Sequence, residues 1–421
     1  MKLTVIGGGS TYTPELIDGF ARLREQLPID EVWLVDPSEE RLSLVGGISQ
    51  RIFQEYGHPA KVHRTSDVVA GVSDADVVLI QLRIGGQDAR HGDETFPHEA
   101  CCIGQETTGP GGFAKALRTV PVVLRVAEQV RKHAKPDAWI IDFTNPVGIV
   151  TRALLQEGHR AVGLCNVAIG FQRHFAELVG TAPEELVLGH VGLNHLTWER
   201  SLQRVGSAED IMPALLAEHL GELAEHVELP EALLSNLHMV PSYYLRYFYA
   251  HDVVFEEQKH GETRAHAVQE IERKLLALYA DESVVTKPVE LAGRGGAFYS
   301  ESAVDLMAAL RTGSGAIQAV NLRNDGTLPF LPDDHVIEVS AAITADGPVA
   351  IPVAPLPDDV AGLISHVAGY ERLALDAAIH GGRDRVVRAM LAHPLVGQWD
   401  RAEQLTDLLI AGNREYLPWA R

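Results

Sequence analysis

The side chains best suited to act on a bound substrate are one thiol, one imidazole and a run of phenols. They are Cys165 beside Asn166, His195 at the end of Gly192-Leu193-Asn194-His195, and the tyrosines of Ser242-Tyr243-Tyr244-Leu245-Arg246-Tyr247-Phe248-Tyr249. A lone cysteine and histidine fall short of the four protein ligands of a structural zinc centre, but a catalytic metal keeps open positions for substrate oxygens and water. On spacing alone the plainer reading is a buried strand-end thiol and a core histidine. The tyrosine run is ambiguous in the same way, since most aromatic stripes pack a core or an interface. A tyrosine facing a metal-bound substrate becomes a base only if nearby positive charge lowers its pKa, ordinarily ~10. Gly293-Arg294-Gly295-Gly296 puts one guanidinium on a flexible backbone. That suits bidentate recognition of a phosphate, and it also suits an ordinary surface loop.

Such side chains need a framework, and the N-terminal segment describes one. Lys2-Leu3-Thr4-Val5-Ile6-Gly7-Gly8-Gly9-Ser10 reads as a strand running into a glycine-rich turn, and Pro14-Glu15-Leu16-Ile17 opens a helix with an apolar stripe. A pyrophosphate sits against bare backbone N–H groups at a helix N-terminus, where side chains at Gly7 or Gly9 would obstruct it. The match is partial, because the third glycine of the dinucleotide-binding pattern falls at Tyr12. A second strand, Glu31-Val32-Trp33-Leu34-Val35, ends on Asp36. An acid at that place holds the adenosine ribose hydroxyls, usually about 20 residues past the turn; here the gap is longer. A helix cap before Pro37-Ser38-Glu39-Glu40 is the alternative role for Asp36. After this turn ribose binding is the better reading, and NAD rather than NADP, because an acid repels a 2′-phosphate.

Strand-like runs at 4–6, 32–35, 77–82, 139–143 and 161–164 alternate with helical patterns, notably 115–134. Alternation of this kind implies a Rossmann-type doubly wound parallel sheet. Beyond about residue 166 the pattern changes to longer helices with fewer strands. Helices are expected over 210–228, 263–279 and 358–379, and a strand pair at 336–342 and 349–353. The expected division is therefore 1–166 for the dinucleotide-binding domain and 167–421 for an α+β domain that binds substrate and metal. No linker separates them, and a packed junction is a common place for an active site. Such sheets place ligands beyond their strand ends, which here carry Gln81-Leu82-Arg83-Ile84-Gly85-Gly86 with Arg90, Thr144-Asn145-Pro146, and Cys165-Asn166.

Composition narrows the partners. A formal net charge of −21 over 421 residues argues against nucleic acid or an anionic membrane, and an anionic substrate would need a local cluster of arginines. No apolar stretch approaches the ~20 residues of a membrane span. No basic, apolar-cored leader precedes the first strand, and Cys101, Cys102 and Cys165 make no disulfide framework. The expected location is the cytoplasm.

Taken in order, these segments resemble glycoside hydrolase family 4, the NAD- and manganese-dependent glycosidases. The likeness runs almost end to end, through Gly7 to Ser10, Arg83-Ile84-Gly85-Gly86, Gly109-Pro110-Gly111-Gly112, Phe143-Thr144-Asn145-Pro146, Cys165-Asn166 and Gly192 to His195. It continues through Arg294 to Ala297 and Tyr370-Glu371 and closes with His393-Pro394-Leu395-Val396. The resemblance implies a lactate/malate-dehydrogenase-like C-terminal domain. It implies that Cys165 and His195 bind Mn2+ or another divalent transition metal, and that NAD+ lies against Gly7, Gly9, Ser10, Thr11, Asp36 and Arg83. Asn145 and Asn166 would meet the sugar hydroxyls, Arg90 and Arg294 a 6-phosphate. Tyr244 would be the base, with Tyr247 as the fallback.

The resemblance also implies the chemistry. NAD+ oxidises carbon 3 of the sugar, Tyr244 removes the proton thereby acidified at carbon 2, and the metal stabilises the enolate. The aglycone is eliminated, water adds back, and NADH returns the hydride. No pair of flanking carboxylates is required, a known exception to the usual glycosidase scheme. Asparagine after the cysteine is similar to the 6-phospho-β-glucosidases, whose substrates are phosphorylated disaccharides or aryl β-glucosides; aspartate there goes with 6-phospho-α-glucosidases and histidine with α-galactosidases. Ala168 departs from the proline that such relatives often carry, which leaves sub-specificity open. Members are commonly homodimers or homotetramers. The rivals are a 2-hydroxy acid dehydrogenase, which needs neither Cys165 nor a metal, and a catalytically silent NAD-binding regulator.

Overall fold

A computed structural model describes residues 1–296 and 298–420; Ala297, the last residue of the Arg294 motif, lies outside the described residues. Among the described residues twelve strands form one sheet. In chain order they are β1 Lys2–Ile6, β2 Glu31–Val35, β3 Lys61–Thr65, β4 Val77–Ile80, β5 Trp139–Asp142 and β6 Ala161–Gly163. The later six are β7 Leu186–Leu193, β8 Leu196–Arg204, β9 Val240–Pro241, β10 Ala316–Arg323, β11 Val336–Thr344 and β12 Gly347–Ala350. The first six lie parallel in the order β3-β2-β1-β4-β5-β6, the doubly wound arrangement that the sequence pattern predicts. β4 and β5 are buried along their whole length. Their Val-Val-Leu-Ile and Trp-Ile-Ile-Asp sequences read as continuous apolar runs because helices cover both faces.

The long helix Pro110–His133 begins earlier than the apolar spacing suggests, with Gly109 as its cap and Pro110 at its first position. A proline costs nothing there, because its missing N–H belongs to the unpaired first turn. β3 escapes detection for the opposite reason: its Lys-Val-His-Arg-Thr sequence is largely uncovered at the sheet edge and carries no apolar run.

The expectation of few strands beyond residue 166 is corrected by β7 to β12. Charged residues disguise them: His190 within β7, Glu199 within β8 and Glu338 within β11 are all buried. β7 and β8 form a hairpin in which Leu193 pairs with Leu196, so Asn194 and His195 make the two-residue turn, with His195 at φ 62°. The sheet continues unbroken across residue 166, since Asn321 of β10 pairs antiparallel with Gly163 of β6. That pairing carries the strand ends of one half up against the hairpin turn of the other. Among the described residues no helix is long and apolar enough to cross a membrane.

Candidate active site

Three groups of side chains meet at the carboxyl ends of the parallel strands. The first surrounds the glycine turn. Gly7 sits at φ 83°, and a Cβ there would stand 2.6 Å from the Gln81 carbonyl oxygen; one on Gly8 would stand 2.7 Å from the Leu34 Cα. These glycines let β1 end tightly between β4 and β2, so that the helix Thr13–Arg22 points its N-terminus across the turn. Asp36 accepts the backbone N–H of Gly9 at 3.1 Å and of Ser38 at 2.9 Å. Ser38, not Asp36, caps the helix Glu39–Glu55, which removes the capping alternative for the acid. Arg294 closes over the same turn, donating to Thr11 Oγ1 at 2.8 Å and to Glu272 at 3.0 Å, while the Tyr279 hydroxyl donates to the Thr11 carbonyl at 2.7 Å.

The second group is a cluster of cations about one acid. Glu106 is 6% exposed and pairs with Arg83, with Lys115 at 2.6 Å and with Arg90 at 3.3 Å; Arg90 also holds Glu94 at 2.7 Å. The surrounding cations hold the Glu106 carboxyl well below the usual range against the effect of burial. Burial, reinforced by the Arg83 charge, pushes the Lys115 ammonium down to about 7 despite that partner. The structure thus places Arg83 in a cationic cluster with Arg90, and Arg294 at the glycine turn. Arg83 and Arg90 both act on Arg294, whose pKa is lowered by burial first and then by their charges.

The third group holds the thiol, the imidazole and the phenols. Tyr244 lies flat on His195, ring centroids 3.7 Å apart and planes 8° from parallel. Tyr243 follows at 4.7 Å from Tyr244 and Tyr247 at 6.3 Å. The His195 tautomer follows from its neighbour. Thr107 Oγ1 donates to Gln105 Oε1 at 2.9 Å, so the same oxygen accepts from His195 Nδ1, also at 2.9 Å. Nε2 then keeps a lone pair. Burial lowers the His195 pKa to about 4, so the ring stays neutral and able to coordinate. Cys165 is buried beyond β6 with the side chains of Asn194 and Tyr299 as hydrogen-bond partners. Burial, then the Glu338 charge, raises its thiol to about 12. Burial and the neighbouring Tyr243 and Cys165 push Tyr244 well above the ordinary phenol range.

Tyr244, Tyr247 and Arg90 line one cleft of about 450 Å³. Asn145 carries a buried Oδ1 with no partner among the described residues, and Asn166 stands at the start of the helix Val167–Leu178. Tyr370, Glu371 and His393, the late sequence motifs, line a cavity of about 30 Å³ behind His195. No group of three or more His, Cys, Asp or Glu side chains is placed to hold a metal among the described residues. Sequence reasoning gave no role to Thr107, Glu106, Lys115, Glu272, Tyr299 or Glu338. A signal for Glu338 existed: it is the one acid in the apolar run Val-Ile-Glu-Val-Ser-Ala-Ala-Ile-Thr.

Comparison with known proteins identifies the family and the fold. Residues 2–181 match the model of the family 4 glycosyl hydrolases and residues 190–396 that of the family 4 glycosyl hydrolase C-terminal domain. A probable 6-phospho-β-glucosidase of Bacillus subtilis is 36% identical over 99% of this chain and 97% of its own. The solved 6-phospho-β-glucosidase of Thermotoga maritima, with NAD and glucose-6-phosphate, superimposes with a TM-score of 0.93 at 34% identity, covering 99% of each chain. The same enzyme has been solved with manganese, NAD+ and glucose-6-phosphate, at a TM-score of 0.91. Malate dehydrogenase of Cryptosporidium parvum, 17% identical with a TM-score of 0.53 over 90% of this chain and 98% of its own, shares the fold alone.

Proposed function

Because this chain belongs to family 4 of the glycosyl hydrolases, we propose that it hydrolyses 6-phospho-β-glucosides with the help of NAD+ and a divalent metal, Mn2+ first among them. The observation that carries this reading is the stack of Tyr244 on a neutral His195 whose Nε2 lone pair is unspent, with the Cys165 thiol within the field of the same tyrosine. The residues present fit both groups. A glycine turn on a helix N-terminus with an acid at the end of β2 suits a dinucleotide. A thiol, a neutral imidazole and the orphan carbonyl of Asn145 suit a transition metal and a sugar.

In this reading residues 1–166 hold the dinucleotide through Gly7, Gly9, Ser10, Thr11, Asp36 and Arg83. The remainder, 167–421, supplies His195 and the base. When bound, NAD+ supplies reversible hydride transfer at sugar carbon 3, and the metal supplies Lewis acidity and the positive charge that a buried phenolate needs. Tyr244 takes the proton from carbon 2 and returns it, with Tyr247 as the alternative. Asn145 and Asn166 orient the sugar hydroxyls. Arg90 presents its guanidinium from the cleft that Tyr244 lines, and with Arg294 offsets a 6-phosphate within a chain of net charge −21. Phosphorylated disaccharides and aryl β-glucosides are the substrates, the working form is a homodimer or homotetramer, and the location is the cytoplasm, where a thiol ligand stays reduced.

Release of nitrophenol from 4-nitrophenyl β-glucoside 6-phosphate tests this, with NAD+, Mn2+ and a thiol reductant each omitted in turn. Release that requires both NAD+ and Mn2+, with no stoichiometric NADH, is the expected result. NADH accumulating in proportion to a consumed 2-hydroxy acid, with no nitrophenol released, would make this a dehydrogenase.

A further inference from the structure

Beside the Asn194–His195 turn lies a buried set of charged side chains that the proposed reaction does not use. His190 sits between two carboxylates, its Nδ1 2.6 Å from Glu199 Oε1 and its Nε2 2.9 Å from Glu338 Oε1. All three residues are at most 1% exposed. Both ring nitrogens face carboxylate oxygens, so both carry hydrogen and the ring is an imidazolium. Burial alone would strip that proton; the two carboxylates hold the pKa up at about 10. One positive charge between two carboxylates leaves one negative charge in excess, where water does not reach and an uncompensated charge is strongly unfavourable.

The excess charge has a direction. Glu338 Oε2 accepts N–H groups from Asn194 and from Asn321, each at 2.8 Å. Asn194 is the hairpin-turn residue just before His195, and its side chain is also a hydrogen-bond partner of Cys165. The Asn194 side chain thus links one buried carboxylate to the thiol, and its backbone is joined directly to that of His195.

We propose that Glu338 is the positioning and charge-balancing residue of the Cys165–His195 metal site, orienting both ligands through Asn194 and supplying the negative charge that a dication there neutralises. The inference rests on the assignment of the metal to that pair. On binding, the Cys165 S–H bond breaks, its proton leaves to solvent and the sulfur keeps the electron pair as the metal–thiolate bond forms. A dication on one thiolate leaves one positive charge, and the excess at Glu338 balances it while Tyr244 is still a phenol; a monovalent ion would not need it. Partners of this kind, one bond behind the ligands, commonly set metal affinity by about 10- to 100-fold.

The test is Mn2+ binding to the full chain, read as free Mn2+ by electron paramagnetic resonance, with NAD+ affinity and thermal midpoint measured on the same samples. Glu338→Gln is expected to weaken Mn2+ binding by about 10- to 100-fold and to leave NAD+ affinity unmoved. Asn194→Ala keeps the imidazolium and its two carboxylates but cuts the link, and is expected to weaken Mn2+ in the same direction. If Glu338→Gln does not fold, Asn194→Ala alone decides. Unchanged Mn2+ affinity in the folded variants, while Cys165→Ser abolishes binding, would overturn this inference and leave the metal assignment standing. Wild-type Mn2+ binding that Cys165→Ser does not weaken would overturn both.

Discussion

The glycine turn proposed to hold the cofactor is assembled from residues close in sequence, Gly7 to Thr11 with Asp36, whereas the proposed catalytic group gathers Thr107, Cys165, His195, Tyr244, Tyr299 and Glu338 from separate segments of the chain. The first is held mainly by backbone: Gly7 and Gly8 donate to the Val35 carbonyl, Gly9 to Asp36, Ser10 to Gly7. The second is held by side chains, through Thr107 on His195, Asn194 on Glu338 and Tyr244 flat on His195. A backbone cradle tolerates most changes of side chain but not of glycine. A side-chain assembly fails at single atoms. Substitutions should therefore separate the two regions cleanly, one losing metal and chemistry, the other losing only NAD+.

The largest effect is expected at Cys165. Cys165→Ser replaces the thiol proposed as a soft thiolate ligand by a hydroxyl that does not ionise, and kcat should fall about 10⁴-fold, several kcal/mol of lost Lewis acidity. NAD+ affinity should be unchanged in the same protein. Loss of NAD+ binding together with activity would mean that the two regions are one. Tyr244→Phe comes next. The ring still stacks on His195, so Mn2+ affinity should hold, while kcat falls about 10³-fold for want of a base. Exchange of the carbon 2 proton with deuterated solvent should disappear with it. Retained exchange in that variant would move the assignment to Tyr247.

These two residues also mark what the sequence disclosed and what it hid. Most of the parallel half was readable because its strands other than β3 are short apolar runs and most of its helices carry an apolar stripe, and Asp36 falls where β2 ends. The hairpin of β7 and β8 was not, because His190 and Glu199 interrupt its apolar alternation and make buried strands resemble polar segments. Cys165, His195 and Tyr244 were named from a resemblance; periodicity alone favoured core packing for all three. Glu338 illustrates why. Its meaning lies in a contact with Asn194 across 144 residues of chain, which no local pattern contains.

Asp36→Ala sharpens the contrast from the other side. Among the described residues the carboxylate accepts only backbone N–H groups of Gly9 and Ser38, so removing it leaves its neighbours in place and withdraws the proposed ribose partner. NAD+ affinity should fall about tenfold, the worth of one good hydrogen bond to a charged group, while Mn2+ affinity stays as it was. Fluorescence titration of each ligand would show it, and a loss of Mn2+ binding would contradict the separation.

The smallest effect concerns Glu106 and its cations, which bring Arg83 of one region and Arg90 of the other onto one acid. Burial first, then Arg83, lowers Lys115 to about 7, against the 10.5 of a lysine in the unfolded chain. Between those values the unfolded chain holds a proton that the folded chain has released, so stability rises with pH across that window, by at most about 1.4 kcal/mol per unit. Below pH 7 both states are protonated and the contribution is a constant cost. At pH 7 the folded lysine is still half protonated, so the gain from pH 7 to 8 should be nearer 1 kcal/mol. Lys115→Met removes the titrating group and should flatten the rise. Urea denaturation of both proteins at several pH values compares the slopes. Parallel slopes would mean that Lys115 keeps its proton in the folded chain, and that the arginines and lysine act on Glu106 as one fixed cationic cluster.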